Sequence, residues 1–593
     1  MSYQAPLDDI LFTLRHVAGL DALEAEGLAP ELDGGMAEAV LTEAGRFAAE
    51  QLAPLNTVGD RAGSVLGESG VVTPPGWRDA YRRWSDGGWN GLVADPAHGG
   101  QGLPLLVQAA CTEMWNAANF AFALGPLLTA GAIEALQAHG SDHLKRLVLP
   151  RIVSGEWMGT MNLTEPQAGS DLAALRTRAE RAEDGTYRIA GEKIFITYGD
   201  HDLTDNIIHL VLARLPDAPP GTRGISLFAV PKRLVADDGS LGERNDLRCA
   251  GVEHKVGIHA SPTCSMVFGE QGGAVGWLVG EENRGLACMF TMMNSARLNV
   301  GLQGVAIADR ALQRAWAYAR ERRQGRAPGW TGEGMSPIVE HPDVRRMLLA
   351  MAAQTRAARA ICYLTAEALD RSHRDPNPAR RQAAAERAAL LTPIAKAYST
   401  DIGIEVASLG IQIHGGMGYV EETGAAQHWR DARIAAIYEG TNGIQAIDLV
   451  TRKLPLSNGE AVANVIGRMR ATVGRVAGSN APGLGHAAAR LGEAVVALER
   501  ATAFMRQALA GRPAEALAGA TPYLRLFGLA LGGVSLAEEA LAALGGDDTP
   551  AIRRRIAVAR FFAEHLATEA PALERTVVEG SQAVEAAASV FAA

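Results

Sequence analysis

Apolar residues recur at helical spacing near the start of the chain, with Ile10, Leu11, Leu14 and Val17 on one face, before Gly27 and Pro30 break the pattern. This predicts a docked N-terminal arm. From Gly34 to Gly155 the period stays helical, clearest over 37–52, 77–86, 106–119 and 143–153, with Pro74-Pro75, Gly87-Gly88 and the Gly-rich loop 95–102 as breakers. After Gly155 the texture changes to short β-rich runs at 160–163, 187–190, 193–197, 206–213, 225–230 and 264–268, which predict a barrel or sandwich. Helical spacing returns from Arg284 to Arg323 and continues through 343–372, 380–409 and 443–453. Beyond Pro455 and Ser457-Asn458-Gly459 a last helical block begins at Ala461. The expected units are an arm (1–33), a helical domain (34–155), a β domain (156–283), a helical bundle (284–454) and an additional helical domain (455–593).

Composition narrows the function class. The net charge of −10 argues against a nucleic-acid surface, and the block after Pro455 is balanced, with 13 Arg and no Lys against 13 acids. Five cysteines with no C-x-x-C pair read as reduced thiols of a cytoplasmic protein. The first residues lack the basic and apolar regions of a signal peptide. The longest apolar tract, 121–136, contains Pro126 and Glu134 and falls short of the roughly 20 residues needed to span a bilayer, so no integral membrane segment is expected.

Candidate chemistry concentrates between Gln412 and Gln445. Glu439 lies between the apolar run from Ile434 to Ile437 and a Gly-Thr-Asn-Gly turn that opens a helical pattern. Two readings stand side by side: a desolvated base fit for proton abstraction, or an acid favoured at a helix N-terminus by the dipole. Gly415-Gly416-Met417-Gly418 offers bare backbone N–H groups, yet it lacks the third glycine and preceding strand of a dinucleotide fingerprint, and a helix C-cap explains it as well. His139 and His143 have metal spacing, but Gly140 breaks the helix between them and no third ligand is evident, so no metal is expected. His201 reads as a satisfied loop histidine or as a group at a pocket mouth. Asp547-Asp548 reads as a loop before the helix start at Thr549-Pro550.

Three motifs taken together narrow this further. Thr164-Glu165-Pro166-Gln167-Ala168-Gly169-Ser170-Asp171, then Phe195-Ile196-Thr197, then the 412–445 stretch resemble the acyl-CoA dehydrogenase superfamily over residues 34–453. The arm and the C-terminal block resemble its long bacterial subgroup, which includes 3-(methylthio)propanoyl-CoA dehydrogenases. The resemblance implies a mainly α fold with a central β domain: an α-helical domain, a β-barrel domain and a four-helix bundle, here with a C-terminal helical extension. It implies FAD as cofactor, contacted by Leu163, Thr164, Gly169, Ser170, Phe195, Ile196, Thr197, Gln412, Gly415, Gly416 and Thr441, with Arg322 and His341 reaching the flavin of a neighbouring subunit. Glu439 would be the α-proton base of an acyl-CoA, flavin N5 the hydride acceptor and a trans-2-enoyl-CoA the product. Ser170, Asn294, Arg297, Tyr438 and Gly440 would hold the acyl-CoA.

Departures from the family pattern are few. Phe195 stands where many relatives carry Trp, keeping the flat wall without the indole donor. Glu321-Arg322-Arg323-Gln324-Gly325 lacks the aromatic that often precedes the glycine, and Gly443 replaces a side chain often seen in relatives. Electrons would pass to an electron-transfer flavoprotein. An oxygen-using acyl-CoA oxidase and a DNA-associated, non-catalytic flavoprotein are the rival readings, the second disfavoured by the charge-balanced extension and by Glu439 itself. A homodimer is expected, the extension covering with Leu491, Val495, Leu498, Leu524, Phe527, Leu531 and Val534 the surface that a second dimer covers in shorter relatives.

Overall fold

The β-rich middle of the chain builds one sheet of eight strands, β1 (Met158–Asn162), β2 (Arg178–Arg181), β3 (Tyr187–Thr197), β4 (Ile207–Arg214), β5 (Ile225–Pro231), β6 (Leu247–Val252), β7 (Thr263–Phe268) and β8 (Ala274–Val279). Going round, β2 pairs with β3, β3 with β8, β8 with β5 and β5 with β4, and a parallel bridge from Arg178 to Arg214 joins β4 back to β2. The ring is closed, which decides for a barrel over a sandwich. Alternating positions such as Val211, Ala213, Phe228 and Val230 fill its interior. The far half of β3 leaves the ring to pair with β7, and this carries Phe195 to Thr197 out of the barrel toward the helical domains. Two runs expected as separate strands, 187–190 and 193–197, are therefore one long strand.

These coordinates come from a computed structural model that describes residues 3–587, 590 and 591. Ahead of the barrel, Met36–Phe47, Trp77–Asp86, Leu105–Ala118 and Phe120–His139 form the helical domain. The helical pattern over 143–153 splits at Val148 into Asp142–Leu147 and Leu149–Ser154, because Pro150 has no N–H to continue the ladder. Behind the barrel, Gly285–Glu321, Pro342–Arg374 and Pro378–His414 are the long rods of the bundle. The first and third touch at backbone distance: a Cβ on Gly304 would lie 2.2 Å from Ser399 O, and one on Gly403 2.8 Å from Gly304 O. Any larger residue at either glycine would wedge the rods apart.

The remaining helices, Glu460–Ser479, Ala487–Gly511, Ala520–Leu544, Pro550–Phe561 and Ala570–Glu579, lie against this bundle. The apolar stripes Leu491, Val495, Leu498, Leu524, Phe527, Leu531 and Val534 are all buried. Gly528 and Gly532 let the Ala520–Leu544 helix rest on Tyr398 and Ala357 of the bundle, and Arg525 pairs with Glu405 beside them. The N-terminal arm stitches the two together, since Asp9 takes both Arg356 of the bundle and Arg555 of the extension. Phe120–His139 and Ala520–Leu544 are long and apolar enough to cross a membrane by length and composition. Most of each is buried within the fold, so their apolar length is core.

One buried ion pair ties the helical domain to the bundle. Arg359 donates to Glu113 at 2.6 and 2.9 Å, Tyr363 donates to the same carboxylate at 2.7 Å, and Asp309 stands 3.5 Å from the guanidinium. Arg359 and Glu113 are 2% and 1% exposed, so removing one charge strands the other where water cannot reach it. Glu113→Gln is expected to cost ~3–5 kcal/mol of stability, read as a drop in the urea midpoint of the purified protein. An unchanged midpoint would show that Asp309 and Tyr363 suffice to hold Arg359.

Candidate active site

The loop from Ile437 to Thr441 joins the turn Arg433–Ala436 to the helix Asn442–Asp448. Within it Glu439 has φ +56°, a left-handed backbone that a glutamate rarely adopts, and Gly440 follows at +87°. Such strain persists only where the surroundings over-determine it. Here they do. Lys396 Nζ donates to Gly440 O at 2.8 Å and to Asn442 Oδ1 at 2.9 Å. Asn442 donates to Asp401 at 2.7 Å, and Gln445 Nε2 donates to Glu439 O at 3.3 Å. The Thr441 hydroxyl accepts from Ile444 N at 3.3 Å as the helix cap, and the Tyr438 hydroxyl donates to Gln303.

Burial pushes the Glu439 carboxyl above the ordinary carboxylate range, and Arg297 and Lys396 pull it back toward the charged form. The residue as a whole is half-buried, while the protein around its carboxyl strips away most of its hydration. Arg297 is itself buried, donating to Asp448 at 3.3 Å, and Gly440 is close enough that a Cβ there would lie 3.9 Å from Arg297 Nη2. Lys396 is pushed down to about 7 by burial, with Glu439 and Asp401 opposing the shift. A carboxylate and two cations thus share one dry pocket. On the helix Phe120–His139, burial raises Glu134 to about 7 beside the Ser295 hydroxyl at 3.3 Å.

The barrel presents the second half of the site. Ile194 N donates to Thr164 O at 2.9 Å, Lys193 Nζ to Leu163 O at 3.1 Å and the Thr160 hydroxyl to Thr197 O at 2.7 Å, so the two motif segments lie side by side. Glu165 anchors the first segment. Burial would raise its carboxyl, but Lys193 at 2.8 Å, with Thr177 and the Arg176 N–H, holds it down at about 2. Phe195 has φ +61° and is 57% exposed, so its ring stands off the barrel as an open wall. Gly169 and Ser170 are exposed beside it. Ile196 is buried in the apolar cluster that includes Cys264 and Met266 of β7, and offers a ligand only its backbone.

The remaining flavin candidates gather elsewhere. Arg322 ends the Gly285–Glu321 helix, exposed, with Nη2 donating to Gln324 Oε1 at 3.3 Å, and His341 Nε2 meets Gln324 O at 2.9 Å. Tyr318 stacks on His414 at 4.4 Å, which brings the exposed Gln412, Gly415 and Gly416 to this same end. A Cβ on either glycine would meet nothing within 4 Å. Arg297 and Arg322 sit 25 residues apart on one helix, roughly 38 Å at 1.5 Å per residue, so the chain carries two separate half-sites. Asn294, one turn before Arg297, is half-buried.

The two histidines at metal spacing are engaged separately. His139 bonds Thr291 at 2.6 Å while His143 packs on Trp277, and no group of three metal-ligating side chains exists among the described residues. His201 is buried, held neutral by a value pushed down to about 3, and its Nδ1 accepts from Leu203 N at 3.2 Å. It is a buried loop histidine and not a group at a mouth, satisfied at Nδ1 while its buried Nε2 has no hydrogen-bond partner. Residues that the motif reading passed over are Lys396, Gln303, Gln445, Asp448 and Lys193. A lone lysine in the apolar run Pro393-Ile394-Ala395-Lys396-Ala397-Tyr398 was the one legible signal among them.

Comparison with known proteins follows the same divisions. Four family profiles match in order: the acyl-CoA dehydrogenase N-terminal domain over 36–156, its middle domain over 160–270, its C-terminal domain over 283–454, and an acetyl-CoA dehydrogenase C-terminal-like domain over 465–588. A 3-methylmercaptopropionyl-CoA dehydrogenase of Ruegeria pomeroyi is 48% identical, with 96% of this chain and 97% of that one covered. A butyryl-CoA dehydrogenase of Syntrophomonas wolfei is 41% identical over 69% of this chain and 68% of its own. Among solved structures, an acyl-CoA dehydrogenase complexed with FAD from Bacillus anthracis superposes with TM-score 0.75 at 19% identity, covering 95% of this chain and 93% of that one, a likeness of fold.

The electrostatics of the loop can be checked directly. The Glu439 carboxyl, identified by infrared difference against Glu439→Gln, is expected to titrate above the ordinary carboxylate range. Lys396→Met removes a charge that favours the ionised form, so it should move that midpoint upward. A midpoint that stays put, or falls, would show that Lys396 does not act on Glu439.

Proposed function

The chain belongs to the acyl-CoA dehydrogenase family, and we propose that it dehydrogenates an acyl-CoA thioester between Cα and Cβ, giving a trans-2-enoyl-CoA with Glu439 as the α-proton base. The observation that carries this reading is the Glu439 loop. Its carboxylate is desolvated, raised in basicity, and fixed in a strained conformation by anchors on three sides. Arg297 and Lys396 oppose that rise and favour the ionised form. Because an α-proton of a thioester is weakly acidic, the backbone N–H of Glu439 serves as the donor to the thioester oxygen while enolate charge develops. Tyr438, locked to Gln303, closes the pocket to water, and Arg297 with Asn294, Ser170 and Gly440 receives the coenzyme A portion.

FAD is the cofactor, and the residues present fit it. Phe195 supplies an unoccluded flat wall and the Thr164 and Thr197 hydroxyls lie on adjacent stitched segments, while Gly415 and Gly416, at the Arg322 end, leave open space for the diphosphate of a partner's flavin. When bound, FAD supplies the acceptor for the β-hydride, and an electron-transfer flavoprotein takes the electrons onward. Arg322, too far along its helix to serve the Glu439 of its own chain, clamps the pyrophosphate of a partner's flavin. Trp316, Met335, Met417 and Tyr419, exposed by 49, 51, 48 and 89%, surround that end and call for a covering subunit.

Glu439→Gln is nearly isosteric and abolishes the base. Flavin reduction by acyl-CoA under anaerobic conditions should slow ~10²- to 10⁴-fold while FAD content holds. Reduction at the native rate would remove Glu439 from the mechanism. The buried stripes of the extension occupy the face a second dimer would need, so light scattering on the holoprotein should give the mass of a dimer. A stable tetramer at micromolar concentration would contradict this.

A further inference from the structure

Arg297 does not serve Glu439 alone. Its Nη1 donates to Asp448 Oδ2 at 3.3 Å, and its Nη2 is the atom that a Cβ on Gly440 would approach to 3.9 Å, so one guanidinium lies between Asp448 and the loop that carries the base. Both side chains are out of water, Arg297 at 9% and Asp448 at 2% exposure. Asp448 ends the seven-residue helix that Thr441 caps, roughly 10 Å from the loop at 1.5 Å per residue.

The contact is not built as a tether. An arginine that fastens two elements often forks both nitrogens onto one carboxylate, as Arg430 does on Asp60 at 2.9 and 2.6 Å. Arg297 instead gives Asp448 a single long bond, and its buried Nε has no hydrogen-bond partner. Asp448 is shared in turn, with Arg452 Nε 2.5 Å from Oδ1 and Lys453 Nζ 3.9 Å from Oδ2. On the other side of Glu439, Lys396 meets Asn442, which donates to Asp401 at 2.7 Å. Around the base and its two cations the charged groups are therefore Asp448, Arg452 and Lys453 on the Arg297 side, and Asp401 with Arg525 behind it on the Lys396 side.

Proton abstraction gives the sharing a use. The Cα–H bond breaks, its proton goes to the Glu439 carboxylate, and its electron pair forms the Cα=Cβ bond as the β-hydrogen leaves as hydride, so that the thioester is oxidised and the flavin reduced. Glu439 thereby loses the charge that Arg297 faced. Without another anion the buried guanidinium would be left unpaired, a costly state that would oppose the transfer. We propose that Asp448 is a positioning residue for this step, holding Arg297 between two carboxylates and keeping the guanidinium paired when Glu439 takes the α-proton. This rests on the dehydrogenase reading above. The sign separates it from a purely structural role. A negative charge at Asp448 favours protonated Glu439, so removing that charge lowers the Glu439 midpoint. Letting Arg297 swing away does the opposite, because Arg297 pulls Glu439 toward its charged form.

The test uses Asp448→Asn holoprotein, which is nearly isosteric and keeps an oxygen to accept from Arg297. Infrared difference against Glu439→Gln should place the Glu439 midpoint about one unit below that of the native protein. Anaerobic flavin reduction by butanoyl-CoA and octanoyl-CoA should show its acid limb moved down by a similar amount, with a lower plateau rate. Asp448→Glu restores the charge and should bring both readouts back toward native. A Glu439 midpoint that stays put or rises in Asp448→Asn overturns the proposal, as does Asp448→Glu behaving like Asp448→Asn. Should Asp448→Asn not fold, Asp448→Ser carries the same comparison, and failure of both to give folded holoprotein makes Asp448 a structural tether and ends the proposal. If the native flavin is reduced and only the midpoint fails to move, the dehydrogenase reading stands and the role of Asp448 falls. If the midpoint moves but neither thioester reduces the native flavin, the charge coupling is real, while the dehydrogenase reading and the role in proton abstraction fall together.

Discussion

A base strong enough to take a proton from a thioester has to be kept dry, and a dry carboxylate has to be kept charged. Those demands conflict, since burial favours the neutral acid. In the role proposed for Glu439, two cations that are themselves partly destabilised by burial, Arg297 and Lys396, meet them by favouring its charged form. Each of the three groups opposes the neutralisation of another. None would sit comfortably in its position alone, and Arg297 leans further on Asp448, which also receives Arg452.

That arrangement depends on helix spacing more than on the loop itself. Lys396 is on one rod of the bundle and Arg297 on another, and the two rods meet at the Gly304–Ser399 and Gly403–Gly304 contacts. Separate those rods by the width of a methyl group and Lys396 no longer reaches both Gly440 O and Asn442 Oδ1. The buried Glu113–Arg359 pair extends the same constraint to the helical domain. Glu439 and the two cations are thus positioned by a single set of helix contacts.

Much of this layout was legible in the chain. Helix 77–86 coincides with the observed element, the change to β texture after Gly155 and back at Arg284 marks the barrel, and the Gly-Thr-Asn-Gly turn pointed to Glu439. What escaped notice has physical reasons. Strand β2 reads Arg-Ala-Glu-Arg, with Ala179 as its one buried residue, so it has almost no apolar alternation to detect. Strand β8 contains Gly276, needed because a Cβ there would come within 2.9 Å of Val230, and glycine dilutes the β signal. Lys396 holds a carbonyl 44 residues away, and Gln303 meets a hydroxyl 135 residues away. Partnerships of that span leave no local periodicity.

Strain shows how the two halves of the site were made to face each other. Among the described residues, the non-glycine positions with left-handed backbone include Phe195 and Tyr198 on the barrel side and Glu439 on the bundle side. Each such residue costs about 1–3 kcal/mol. Regular strand or helix geometry would turn these side chains along the element and not out of it, so the strained backbone is what presents them. Both strains are held by a bond to a different domain or helix: the Tyr198 hydroxyl to Ala121 O, and Lys396 to Gly440 O. Loss of either bond removes one constraint on the strained backbone that presents Phe195 or Glu439. The helix contacts thus set where each half-site lies, and these buried polar bonds hold the strained turn within it.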